Sequence, residues 1–288
     1  MKSIYLLIRN TSLKAYSILF LASICSILGL CGCLQGFTMS AIQVDEYYTA
    51  LPPKPDFGYA EYDHKKIYFA QSTNIRHKLL FLIHGAPGAW FGYKDYLNDS
   101  LLLKEFKIVA ADRFGYNHSD NRLVSIDEQA KAFYTLLKKY PNYEVTVVGR
   151  SYGAAIAAKL AMDYPEMVKK LLLISPACAP KLEKYWWFSK PVNMGFIKFF
   201  LPSYVNRASE EKFAHQEELA NLEKDWSKIH CPVIILQGGK DWIIDTRNGA
   251  YLDSVITKAP KQYIYLPENG HLLTAERKDL IKDLLLKP

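Results

Sequence analysis

The chain has 288 residues, half of them apolar, and a formal net charge of +7. This length is enough to bury a substantial core as one large α/β domain or two small ones. The part of the chain after Cys33 contains 33 of the 36 basic residues and all 29 acidic residues. Its small excess of positive charge does not indicate a nucleic-acid-binding protein.

Residues 1–33 have the pattern of a signal peptide or a membrane anchor. Basic residues at its start are followed by a segment that is uncharged until Asp45. The stretch "LCGC" resembles a bacterial lipobox ending at Cys33, which would then carry a lipid. An uncleaved anchor and cleavage farther along the chain stay open as alternatives. All three predict an extracytoplasmic domain, and the first two attach it to the membrane.

Residues 34–56 contain "QVDEYYTALPPKPD", whose prolines favour extended backbone. We expect these residues to form a tether between the leader and a domain over residues 57–288.

In that domain, short apolar runs alternate with segments of helical periodicity, after a first hairpin at "YAEYDHKKIYFAQ". Continuous apolar strands separated by helices predict an α/β fold with a mostly parallel central sheet, covered by helices on both faces. Residues from about 178 to 226 lack a strand pattern, and we expect them to form a helical cap.

The stretch "VTVVGRSYGAAIAAKLA" carries a G-x-S-x-G pattern between a predicted strand and a predicted helix. In such a nucleophile elbow, a sharp turn raises the serine oxygen above the end of the sheet. The glycines at 149 and 153 allow the strand and the helix to approach closely. The pattern therefore indicates that Ser151 is a catalytic nucleophile. A serine that only capped the following helix would not need the two glycines.

A serine nucleophile needs a histidine base and an acid that orients it. His271 follows the last predicted strand, and Asp241 follows the strand before it, with Asp245 as a rival acid. His84, His118 and His230 have simpler structural explanations.

Attack of the serine on a carbonyl group creates an oxyanion, which hydrogen-bond donors must stabilise. The stretch "LIHGAPGAW" follows the strand after which this architecture places such donors. Because Pro87 has no N–H, we expect the amides of Ala86 and Tyr152 to serve.

These motifs resemble the α/β-hydrolase family, in its subgroup with an HG-x-P-G oxyanion loop. The resemblance covers about residues 57–286 and includes "HGAPG", "ADRFGYNHSD", "GRSYGA", "GGKDWII" and "NGHLL". It implies the triad Ser151, Asp241 and His271, and oxyanion donors at Ala86 and Tyr152. Serine at the elbow argues against the family's dehalogenases and epoxide hydrolases, which use aspartate there.

The predicted cap is rich in aromatic residues and has a basic first half. Most of these side chains would pack on the core, but an apolar acyl pocket with a basic rim near a membrane is the functional expectation. Its candidate lining residues are Trp90, Trp187 and Trp242.

The sequence therefore predicts a serine hydrolase that cleaves a carboxylic ester or thioester, with no metal or organic cofactor. Its expected partners are a small or lipid-like ester and a membrane. A proline iminopeptidase-like aminopeptidase is an alternative, in which cap carboxylates such as Glu210, Glu211, Glu217 or Glu218 hold the substrate amine. A hydrolase-fold binding protein without turnover is another.

Overall fold

The computed structural model describes residues 39–120, 125–187 and 189–287. The leader predicted over residues 1–33, including Cys33, lies outside the described residues. Within the described part, no helix is long and apolar enough to cross a membrane.

The described residues contain an eight-stranded sheet with the order β1-β2-β4-β3-β5-β6-β7-β8. The pairs β1–β2 and β2–β4 are antiparallel and the remaining pairs are parallel, which confirms the predicted fold class. The strands are β1 (Asp56–Tyr62), β2 (Lys65–Gln71), β3 (Lys78–Ile83), β4 (Phe106–Ala111), β5 (Glu144–Arg150), β6 (Val168–Ile174), β7 (Val233–Gly238) and β8 (Lys261–Leu266).

Helices precede, connect and follow these strands. They are α1 (Ala41–Ala50), α2 (Lys94–Leu97), α3 (Leu102–Glu105), α4 (Ile126–Leu137), α5 (Tyr152–Asp163), α6 (Ser189–Val192), α7 (Gly195–Phe200), α8 (Ser203–Leu222), α9 (Asn248–Val255), α10 (Leu273–Glu276) and α11 (Lys278–Leu286). Ser125 is the N-cap of α4, because its side chain accepts a hydrogen bond from the Glu128 amide.

The central strands are covered on both faces. Leu79 to Ile83 on β3 and every residue of β7 are buried. Successive side chains of a strand point to opposite faces, so a strand that is buried throughout has a packed layer on each side. This burial places the carboxyl ends of β3 to β8 at one edge of a closed core, where the predicted site residues follow the strands.

The extended backbone predicted for the tether is wrong over Ala41–Ala50, which forms α1. Val44 and Tyr48 are buried, the Tyr47 hydroxyl donates to Asp95, and the Tyr48 hydroxyl donates to the Lys94 carbonyl at 3.3 Å. The helix is thus packed on the domain through contacts with residues far along the chain, and the prolines at 52 and 53 act only after it has ended.

Candidate active site

The turn between β5 and α5 holds the predicted nucleophile in a strained backbone conformation. Ser151 has φ 54° and ψ −123°, a region that non-glycine residues rarely occupy. Its amide donates to the Ile174 carbonyl on β6 at 3.0 Å, and the residue is 8% exposed. A strained residue that neighbouring strands hold in place is the geometry expected of a nucleophile elbow.

The glycines on either side of Ser151 have steric reasons. A Cβ at Gly153 would lie 2.4 Å from the His84 carbonyl oxygen, and one at Gly149 would lie 2.5 Å from the Gly153 carbonyl oxygen. Both obstacles are backbone atoms, so a side chain would force α5 away from β3 and β5.

His271 lies in the loop after β8 and Asp241 in the loop after β7. The His271 Nδ1 is 2.7 Å from Asp241 Oδ2, and both side chains are buried. Asp241 Oδ1 accepts hydrogen bonds from the amides of Ile243 and Ile244 at 2.9 and 3.0 Å. A carboxylate so held accepts the Nδ1 proton, which leaves the lone pair of a neutral imidazole on Nε2.

The rival acid has a different partner. Asp245 accepts two hydrogen bonds from the Arg247 guanidinium, at 2.9 and 2.8 Å. The hydrogen bonds from Arg247 lower the pKa of Asp245 to about 2. The structure thus brings Asp241, and not Asp245, to His271.

His84 organises the loop that contains Ala86. Its Nε2 accepts a hydrogen bond from the Arg113 amide at 2.9 Å, so Nδ1 carries the proton that is donated to the Gly85 carbonyl at 2.7 Å. Burial, with the charge of Arg113, lowers the pKa of His84 well below its usual value. His84 therefore stays neutral and fixes the backbone on which Ala86 stands.

A cavity of about 360 Å³ lies over the elbow. It is lined by Ala86, Pro87, Ser151, Tyr152, Ala177, Glu183, Trp186, Ser189, Val192, Val205, Ala208, Ser209, Lys212, Phe213, His215, Trp242, Ile243 and Ile244. The predicted nucleophile and both predicted donor residues thus share one mostly apolar cavity beneath the segment between β6 and β7.

The tryptophan predictions need two corrections. Trp242 lines the cavity, but Trp90 and Trp187 do not. Trp90 is 2% exposed, packs on Phe57, and donates its amide to Asp112, so it belongs to the core. Trp187 is 86% exposed, and its neighbour Trp186 lines the cavity instead.

Three charged or polar cap residues meet at the cavity wall. The Lys212 ammonium contacts Glu183, and the His215 Nδ1 is 2.9 Å from Glu183 Oε2. The His215 ring stacks on that of Tyr152, with centroids 4.5 Å apart. Burial would raise the pKa of Glu183, but hydrogen bonds from His215 and Lys212 lower it below its usual value. Glu183 is therefore an ionised group whose charge Lys212 already balances.

Arg113, to which no sequence motif assigned a role, joins the cap to the elbow. Its guanidinium donates to Glu211 of α8 at 2.6 and 3.0 Å and to the Gly85 carbonyl at 3.1 Å. It also lies over the rings of Tyr116 and Tyr152, 4.7 and 4.5 Å from their centroids. Burial would lower the pKa of Arg113, but Glu211 and Tyr116 raise it, so this residue stays a cation.

The cap carboxylates that an aminopeptidase would use to hold the substrate amine do not line this cavity. Glu211 pairs with Arg113, Glu210 pairs with Lys198, and Glu218 accepts the amide of Ile126 at 2.9 Å. Glu217 is exposed, and none of the four lines the cavity described above. Glu183 does line it, but in the cluster with Lys212 and His215.

Comparisons with known proteins agree with this architecture. A family profile described as "alpha/beta hydrolase fold" matches residues 78–217. The chain is 31% identical over 101 residues to the AB hydrolase superfamily protein YfhM of Bacillus subtilis (strain 168), covering 34% of this chain and 35% of YfhM. The match therefore spans about a third of that relative.

Longer matches exist at lower identity. Lipase 1 of Psychrobacter immobilis is 26% identical over 256 residues, covering 76% of this chain and 78% of the lipase. The crystal structure of serine hydrolase CCSP0084 from Cycloclasticus zankles superposes with a TM-score of 0.65 at 18% identity, covering 80% of this chain and 96% of that one. The sheet order and the profile match show that the chain has the α/β-hydrolase fold.

Proposed function

We propose that this protein is a serine hydrolase that cleaves a carboxylic ester or thioester through an acyl-enzyme on Ser151. The observation that carries the proposal is the 2.7 Å contact between His271 Nδ1 and Asp241 Oδ2, at the same sheet edge as the strained Ser151. A histidine oriented by a carboxylate and an elbow serine at one sheet edge are the parts that acyl transfer requires.

In the proposed mechanism, His271 Nε2 takes the proton of the Ser151 hydroxyl while Oγ attacks the carbonyl carbon. The amides of Ala86 and Tyr152 donate to the oxyanion that forms. His271 then gives its proton to the leaving alcohol or thiol, and an acyl-enzyme remains. Water repeats the sequence with His271 as base, which releases the acid and restores Ser151.

The cavity favours an ester with an apolar acyl group over a substrate with a charged amine. Most of its lining residues are apolar, and Glu183 is already balanced by Lys212. An α-amino group would need an uncompensated carboxylate in the cavity wall, because burying a lone cation is costly.

An activity screen of the full chain tests this proposal. p-Nitrophenyl esters of graded acyl length should be hydrolysed, whereas proline anilides should not. Faster turnover of the anilides would support the aminopeptidase. Loss of all turnover, in a protein whose circular dichroism shows that it is folded, would support a binding protein.

We further propose that the domain works outside the cytoplasm, attached to a membrane through a lipidated Cys33 or an uncleaved leader. The charge pattern of the leader supports this proposal. Mass spectrometry of the membrane-extracted protein tests it. An N-terminal Cys33 with a diacylglyceryl mass supports lipidation, an intact Met1 supports the anchor, and an unmodified terminus beyond Cys33 contradicts both.

A further inference from the structure

Helix α7 carries an unusual set of exposed aromatic side chains. Phe196, Phe199 and Phe200 are 78%, 83% and 55% exposed. Their spacing places them on one side of the helix. Phe200 contacts both other rings, with centroids 5.2 Å apart in each case. The three rings thus form one apolar surface.

Three more large apolar side chains of the cap and the adjoining loop are more than half exposed. Trp187, Met194 and Trp242 are 86%, 60% and 66% exposed. We call the six residues the cap aromatic face: Trp187, Met194, Phe196, Phe199, Phe200 and Trp242. The three contacting phenylalanine rings alone expose roughly 400 Å², which equals the largest apolar patch on a typical monomer, roughly 300–600 Å². Such an area marks an interaction surface.

One residue of the cap aromatic face lies at the cavity over Ser151. Trp242 belongs to the face and also lines the cavity. Trp186 lines the cavity too, and its ring centroid is 5.8 Å from that of Trp242. Since Trp242 is 66% exposed, the cavity reaches the surface beside this ring. A partner seated on the face would therefore lie at the mouth of the cavity.

The cap sequence around Trp187 is basic. Lys181 and Lys190 are exposed and form no ion pair with any residue that the structure describes. Lys184 donates to the Ile244 carbonyl at 2.9 Å, and Glu183, the one acid between Lys181 and Lys190, is turned into the cavity wall. Exposed aromatics flanked by lysines complement an apolar layer with anionic head groups.

The sequence ahead of the described domain favours the same partner. The chain has 38 residues before Met39, and it carries no charge from Ala15 to Val44. The uncharged run from Ala15 to Val44 is long enough to enter a bilayer. A bilayer partner therefore accounts for both the segment and the face.

We propose that the cap aromatic face docks on a lipid bilayer containing anionic lipids, and that the cavity takes its ester from that bilayer. Phenylalanine and tryptophan rings enter the boundary between head groups and acyl chains, while Lys181 and Lys190 remain among the head groups. Only the delivery of an ester rests on the proposed function; the docking itself does not.

Tryptophan fluorescence of the full chain, with vesicles of phosphatidylcholine and phosphatidylglycerol that carry brominated acyl chains, tests the docking. Of the five tryptophans, Trp90 and Trp226 are each 2% exposed, so quenching by bromine reports on Trp186, Trp187 and Trp242. The proposal predicts that brominated vesicles reduce the emission by roughly half relative to unbrominated ones, since most tryptophans lie on or beside the face. Quenching reads insertion of the cap even when the leader also binds the vesicle.

The combined variant Phe196→Ser, Phe199→Ser and Phe200→Ser should lose this quenching. It should hydrolyse a long-chain ester held in vesicles at least about tenfold more slowly, and a short water-soluble ester within about twofold of the normal rate. The matched controls Tyr59→Ser and Ile75→Ser, 50% and 81% exposed on the domain outside the cap, should change neither quantity. The single variant Phe199→Ser should reduce quenching even if the combined variant fails to fold.

Three results would overturn the docking proposal. One is the absence of quenching in the unmodified chain, and another is quenching that Phe199→Ser leaves unchanged. The third is a dimer that Phe199→Ser turns into a monomer without altering quenching, which would assign the face to a second copy of the chain. Quenching without hydrolysis of any ester would instead leave the docking standing and contradict the proposed function.

Discussion

Arg113 and Glu211 form a two-bond ion pair with neither side chain exposed. Arg113 follows β4 and Glu211 lies on α8, so this contact ties the cap to the sheet directly behind the Gly85 carbonyl and the Tyr152 ring. The cap helix that covers the cavity is therefore held by the same residue that packs against the elbow.

Glu211→Gln should lower the free energy of unfolding by about 3–5 kcal/mol, because it leaves the buried Arg113 charge without its counter-ion. Chemical denaturation measures this change. Glu217→Gln, at an exposed position of the same helix, should change it by less than about 0.5 kcal/mol. Equal effects of the two substitutions would show that the buried pair is not required for stability.

Asp241→Asn should reduce kcat on a p-nitrophenyl ester by about 10⁴-fold, because an amide in this place favours the wrong tautomer of His271. Asp245→Asn should stay within about twofold, since Asp245 contacts Arg247 and not the histidine. Steady-state kinetics of the two variants compare them. A larger loss in Asp245→Asn would transfer the acid role to that residue.

Gly153→Ala should abolish activity and destabilise the domain by several kcal/mol, because its Cβ would lie 2.4 Å from the His84 carbonyl oxygen. Gly92→Ala is the matched control, since a Cβ there meets no atom within 4 Å. Thermal unfolding and ester turnover are measured for both. A Gly153→Ala protein with normal activity would rule out the tight contact between β3 and α5.

Burial raises the pKa of Asp112 to about 7, against the lowering effect of hydrogen bonds from Trp90, Asn117 and His118. In the unfolded chain this carboxyl ionises near pH ~4, whereas in the folded chain it ionises only near pH 7. The free energy of unfolding therefore falls as the pH rises from ~4 to ~7. Asp112→Asn should therefore gain stability relative to the unmodified chain by up to about 4 kcal/mol from pH ~4 to ~8. Denaturation at several pH values measures the difference, and a constant difference would mean that Asp112 is ionised throughout.

The strands of the parallel sheet were predictable because they are continuous apolar runs buried on both faces. The site residues that follow them were predictable in position for a related reason, since loops after parallel strands meet at one edge. His271 and Asp241 needed only this rule to be brought together, although they are 30 residues apart.

Features that depend on distant partners were not predictable. Helix α1 is held by contacts of Tyr47 and Tyr48 with residues more than forty positions away, whereas the nearby prolines favoured extended backbone. Trp186 and Trp187 are sequence neighbours of one residue type, and Trp186 packs against Trp242, which lies 56 residues farther along the chain. No local pattern pairs Arg113 with Glu211, 98 residues farther along the chain.

Labelling of the full chain with a fluorophosphonate tests whether Ser151 is an activated nucleophile, because this reagent reacts only with a serine that a base has made nucleophilic. We expect one adduct per chain, on Ser151, that is absent in Ser151→Ala and forms at least about a hundredfold more slowly in His271→Ala. Peptide mass spectrometry locates the adduct and its time course gives the rate. A folded chain that does not label, or one that labels at the same rate in His271→Ala, would contradict the claim that Ser151 is a nucleophile activated by His271.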